Sequence, residues 1–164
     1  MFLASHNQFQ FLSDLLNKSP DAVAWIFGSS AFPDIRGLVY FYQLYNGVQL
    51  ITEVTGLPHN EDSCESRIFG FHIHEGSTCT GNSEDPFADT GKHYNPSNCL
   101  HPHHAGDLPP LFGNDGLAFQ SIFTNRFCVN EIIGHTIVVH SSPDDFVTQP
   151  AGNSGVKIAC GQIF

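Results

Sequence analysis

From residue 22 onward, short runs of alternating or continuous apolar positions punctuate this chain and predict β-strands. The runs cover 22–28, 38–44, 48–55, 68–75, 117–123, 136–141 and 156–163. Successive side chains of a strand point to opposite faces, so such runs read as strands with one face on a core. Gly, Pro, Asn and Asp fill the gaps, as turns require. Residues 129–133 read as one further short strand. Several short strands in one domain point to a sandwich or barrel. Ahead of them, 9–16 has the pattern of a short helix, ended by Asn17 to Pro20. Residues 1–21 therefore read as an N-terminal extension, and 22–164 as a single β-domain.

Two stretches break this rhythm. Residues 76–111 show little periodicity and many Gly, Pro, Asn, Asp and His. A loop of that length without structure of its own is uncommon unless it is functional or disordered. Residues 141–155 form a second irregular stretch.

A length of 164 residues fits one domain with a substantial core, and fifteen Phe predict a well-filled interior. The net charge of −10 argues against nucleic acid and against an anionic membrane surface as partners. It also means that a small anionic substrate needs a local positive focus, such as a metal ion. No apolar run reaches the roughly 18 residues of a membrane span. Residues 1–18 lack a basic segment followed by a clean apolar one, so either the chain is not exported or a signal is removed ahead of this numbering; the cytoplasm is the expected compartment, with a secreted mature form as the alternative. Five Cys leave at least one without an intrachain partner, and no CxxC pair suggests a thiolate zinc knuckle.

The histidines change the picture most. Six of the ten lie between His72 and His104, and imidazole is the commonest metal ligand among side chains. Period two puts His72 and His74 on one face of a strand, with Phe71 and Ile73 on the other. His140 ends a second strand and completes a three-His cluster. The irregular loop offers His93, His101, His103, His104 and Asp107; three His and one carboxylate satisfy tetrahedral zinc. Metal ligation also explains how a loop without an apolar core is ordered. His103 reads more readily as a solvated loop residue, because its neighbours supply enough ligands.

The strings GFHIHEG, GKHYNP, HAGDLP, GHTIVVH, PDD and GNSGVKIACG, in this order, resemble the copper/zinc superoxide dismutases. The resemblance covers about residues 22–164, and HPHHAGDLPPL looks like a shortened bacterial version of the zinc loop. It implies an all-β fold, an eight-stranded antiparallel Greek-key barrel or sandwich with long metal-binding and channel loops. It implies copper on His72, His74, His93 and His140, and zinc on His93, His101, His104 and Asp107, with His93 bridging. His101 is preferred to His103 as the middle zinc ligand for its spacing from His93. Asp144 matches the carboxylate that bonds one copper and one zinc histidine. Cys79 and Cys160 match the family's intrasubunit disulfide, leaving Cys64, Cys99 and Cys128 free.

Departures accompany the resemblance. The family usually carries Arg three residues before the last disulfide Cys, at the mouth of the copper channel; here Lys157 keeps the charge without the planar fork. Only two residues separate His101 from His104. Residues 141–155 lack the Lys- and Glu-rich stretch that steers superoxide in eukaryotic members, so steering falls to Lys157, Lys92, Arg126 or the metal. The activity implied is dismutation of superoxide to dioxygen and hydrogen peroxide, with copper as the redox ion, zinc as the structural and tuning ion, and His93 and Lys157 as catalytic residues. A homodimer is one assembly the family offers. A non-enzymatic copper- and zinc-binding or copper-buffering protein of the same fold is the alternative; a lost copper ligand would favour it, and all four are present.

Overall fold

The computed structural model describes residues 18–59 and 67–164. The helix expected at 9–16 and the thiol of Cys64 lie outside them. Among the described residues nine strands form: β1 (Ala22–Gly28), β2 (Arg36–Leu44), β3 (Gly47–Thr55), β4 (Ile68–Phe69), β5 (Phe71–His74), β6 (Leu111–Phe112), β7 (Ala118–Thr124), β8 (Thr136–His140) and β9 (Lys157–Gln162). Seven make one antiparallel sheet in the order β5-β8-β9-β1-β2-β3-β7, and β4 pairs with β6 in a second. The edges of the large sheet are β5 and β7. Through Gly70, β4 runs on into β5, and a tight turn between Asn114 and Leu117 leads from β6 into β7. The small sheet thus bridges both edges and wraps the whole around one core. Counting β4 and β5 as a single strand interrupted at Gly70 returns the eight strands of the expected barrel.

The expected alternation is visible in burial. In β1, Ala22, Ala24 and Ile26 are buried while Trp25 and Phe27 face outward. Val39 and Phe41 of β2 and Leu50 and Val54 of β3 join the same core. The fifteen Phe do not all fill it: Phe41, Phe69, Phe71, Phe87 and Phe127 are buried, but Phe27, Phe112, Phe119, Phe123, Phe146 and Phe164 are exposed. The strand expected at 129–133 is instead a single helical turn, α1 (Val129–Ile132). Its N-terminus is satisfied from outside the pattern: Glu131 Oε2 accepts from the Cys128 N–H at 2.6 Å, and Gln43 Oε1 of β2 accepts from the Val129 N–H at 2.8 Å. Capping by a side chain three residues on favours a helical turn over a strand.

β5 is buried on both faces. Phe71 and Ile73 point into the core, and the long loop covers the other side. That loop is sewn on by backbone bonds: Ile73 N–H donates to Gly106 O, Tyr94 N–H to Ile73 O, and Glu75 N–H to Lys92 O. A Cβ on Gly106 would run into the Ile73 carbonyl, so the close approach of loop and strand requires glycine there. The Cys79–Cys160 disulfide fastens the start of the loop to β9, across 81 residues of sequence. In chain-entropy terms a link of that span is worth ~4 kcal/mol. Cys99 and Cys128 are free and exposed.

Candidate metal centre

β5 and β8 place the first cluster. His72 and His74 stand on the outward face of β5, paired with Val138 and Thr136 of β8. A register shift between Val139 and His140 turns the end of β8, and His140 pairs with Lys157 of β9. An irregularity of this kind re-aims a side chain at a strand end. His93 joins from the loop through a bridge to His74. One nitrogen from each of His72, His74, His93 and His140 lies within 4.8 Å of the others, and all four residues are buried.

A second buried set, His93, His101, His104 and Asp107, meets the same geometric limit. Asp107 lies 2.7 Å from His93 Nδ1 with one oxygen; its other oxygen is 3.1 Å from His101 Nδ1 and 3.3 Å from His104 Nδ1. His93 belongs to both clusters. Its Nδ1 faces Asp107, while its buried Nε2 meets no hydrogen-bond partner. His103, between His101 and His104 in sequence, is exposed and outside the set.

The ring tautomers follow from their partners. Asp144 accepts from His72 Nε2–H at 2.8 Å with one oxygen and from His101 Nε2–H at 2.9 Å with the other. The Nδ1 atoms of both rings are therefore bare lone pairs, buried and without a hydrogen-bond partner. His74 Nδ1–H donates to Gly91 O at 3.1 Å, and His140 Nδ1–H points to Gly155 O at 3.4 Å. Their Nε2 atoms then face each other at 3.2 Å, lone pair to lone pair. Buried polar atoms are normally satisfied, and opposed lone pairs repel. One cation in each cluster satisfies these nitrogens, which is the fit the two donor sets demand.

Electrostatics agree. Burial and the neighbouring imidazoles push His74 well below the usual histidine range, and the same causes bring His140 down to about 3. Burial also lowers His72 and His104, against the opposing pull of Asp144 and Asp107. These rings stay neutral and free to ligate. Burial alone would raise the Asp144 carboxyl, but bonds from His72, the Phe146 N–H and His101 overcome it and hold the group at about 2.

The model of the family described as copper/zinc superoxide dismutase (SODC) matches residues 35–163. The chain belongs to the copper/zinc superoxide dismutase family. A protein named superoxide dismutase (Cu-Zn) from Deinococcus radiodurans is 35% identical over 148 residues, covering 77% of this chain and 76% of its own. Superoxide dismutase (Cu-Zn) 2 from Aquifex aeolicus is 31% identical over 145 residues, covering 79% and 80%. In family terms the first cluster is the copper site and the second the zinc site, and both are complete.

The copper site opens on a cleft of about 1060 Å³ whose wall includes His74, His93, His140, Lys92 and Lys157. Lys157 stands where the resemblance places the channel cation, but it is paired, donating to Asp85 Oδ2 at 2.8 Å and Phe87 O at 3.0 Å. Arg126 does not face this cleft. Its Nη1 donates to the carbonyls of Pro102, His104 and Asp107 at 3.3, 3.2 and 3.0 Å, gathering the turn that carries two zinc ligands. Its expected part in steering is replaced by a hold on the zinc loop.

Two positioning residues were missed from sequence. Gln149 clamps the backbone of His101 from both sides, accepting from its N–H at 3.0 Å and donating to its carbonyl at 2.7 Å. Gly152, at φ +64°, leaves room for the Asp144–His101 contact, since a Cβ there would collide with Asp144 Oδ1 and lie 2.7 Å from His101 Nε2. The Gly-rich string GNSG was the available signal for Gly152; nothing in sequence marked Gln149.

Proposed function

We propose that this chain dismutates superoxide: two superoxide anions and two protons become dioxygen and hydrogen peroxide. The observation that carries the reading is the single imidazole of His93, buried between two complete ligand sets with one nitrogen turned to each. Copper held by His72, His74, His93 and His140 supplies the one-electron couple, and zinc, which has none, orders the loop.

Within that scheme His93 Nε2 alternates between a bare lone pair and N–H, storing one proton between the two half-reactions, while Nδ1 stays with the zinc set. His72, His74 and His140 keep their orientation through Asp144, Gly91 O and Gly155 O. Such outer partners fix both tautomer and ring direction. Lys157 places an ammonium at the cleft wall, held there by Asp85 and the Phe87 carbonyl. Asp144 couples the sites, because any tilt of His101 is felt at His72 through the shared carboxylate.

Finer readings go with this one. The two relatives above are bacterial, and the two-residue gap between His101 and His104 supports a shortened form of the bacterial zinc loop. A homodimer is the assembly to weigh by sedimentation. The enzyme reading is tested by comparing protein reconstituted with both metals against protein given zinc alone. Turnover only in the former is expected; equal rates, both at the spontaneous level, would overturn it.

A further inference from the structure

We propose that Asp85 governs anion access to the copper site, by fixing the Lys157 ammonium in one place and cancelling its charge at the cleft wall. The proposal rests on the superoxide dismutase reading and deepens it.

Lys157 opens β9, opposite His140 and three residues before the disulfide Cys160. Two of its three N–H groups are spent on Asp85 Oδ2 and Phe87 O, and its side chain is 15% exposed. Asp85 is itself held. The Phe87 N–H donates to its Oδ1 at 3.0 Å, and its carbonyl accepts from the N–H groups of Asn82 and Ala88 at 2.9 and 3.1 Å. The disulfide pins the same loop to β9. An ion pair between mobile surface chains contributes little; this one joins two anchored groups, so its geometry persists.

The charges on the cleft wall add to the effect. Glu75, Glu84 and Asp85 face two cations, Lys92 and Lys157, on a chain of net charge −10. These side chains leave the wall one net negative charge, which opposes the pull of the bound metals on an entering anion. Removing the Asp85 charge balances the wall and releases the ammonium toward the cleft. Burial alone would raise the Asp85 carboxyl, but Lys157 and the Phe87 N–H outweigh it and lower the group, so it is ionised throughout the working range.

The test uses copper- and zinc-loaded protein and two readouts. One is azide affinity, followed by the change in the visible spectrum; the other is the dismutation rate against ionic strength. With D85N, azide affinity and rate are both expected to rise about threefold at low salt, the effect of one unit charge a few ångströms away in a water-like dielectric. The gain should shrink as salt screens the site. K157Q should move both readouts the other way. If Asp85 only fastens the loop, D85N leaves azide affinity unchanged or lowers it, and the proposal is overturned. Azide binding needs no turnover, so it decides the matter alone. Protein that binds azide as expected yet fails to dismutate contradicts the function and not the role of Asp85; fast turnover with azide affinity indifferent to D85N contradicts the role and not the function.

Discussion

His72 of the copper site and His101 of the zinc site donate to the two oxygens of a single carboxylate, Asp144, at 2.8 and 2.9 Å. Neither ring can turn without disturbing the other. The loop that carries Asp144 is therefore part of both metal sites, although it supplies no ligand.

Asp144→Ala removes this link and frees both Nε2–H groups. Loss of such an outer partner typically costs 10–100-fold in metal affinity. Zinc affinity, measured by competition with a chelator, is expected to fall by about that factor while the far-ultraviolet circular dichroism of the β-fold persists. Unchanged zinc retention would show that Asp144 is a bystander.

His93→Ala deletes the one ring shared by both clusters. Both metals should bind more weakly in the same variant, read by metal analysis after dialysis against a weak chelator. Loss of one metal with full retention of the other would contradict the bridge.

The zinc loop offers a direct comparison of neighbours. His101 is buried with its Nδ1 in the zinc set, and His103 is exposed. His101→Ala is expected to lower zinc occupancy strongly and His103→Ala to leave it near one per chain. The reverse result would reassign the middle ligand.

The metal-free protein should lose stability as the pH falls. His74 and His140 lie below the ordinary 6.5, His140 at about 3. Below 6.5 the unfolded chain takes up protons that the folded chain refuses, so stability present above 6.5 is lost progressively toward 3. Asp144, at about 2 against an ordinary 3.8, extends the loss below 3.8. The urea midpoint of metal-free protein should therefore drop between pH 7 and pH 4; a flat or rising midpoint would contradict the buried neutral imidazoles.

The strands were legible because alternation is a local signal. β1 spans Ala22–Gly28 as expected, and β2, β3, β7, β8 and β9 differ from expectation by a residue or two at their ends. The ligands were legible for a related reason: His72 and His74 share a strand face, and HAGD fits one turn. Contacts between loops far apart in sequence were not. Gln149 meets His101 across 48 residues, and Lys157 meets Asp85 across 72; no periodicity announces either. Residues 129–133 carry a strand-like pattern because a single helical turn stabilised by Gln43, from β2, leaves no helical repeat to detect. The two-residue strand β6 escaped notice because it is shorter than any pattern that could reveal it.

The central claim is that these two clusters form one working redox centre. Its most direct test is the superoxide dismutation rate of protein reconstituted with copper and zinc, with metal content determined on the same sample. One copper and one zinc per chain with a fast, cyanide-sensitive rate, up to a diffusional ceiling of about 10⁹ M⁻¹s⁻¹, is the result expected. Full occupancy of both sites with a rate no faster than spontaneous dismutation would contradict it, and leave a protein that holds copper without turning it over.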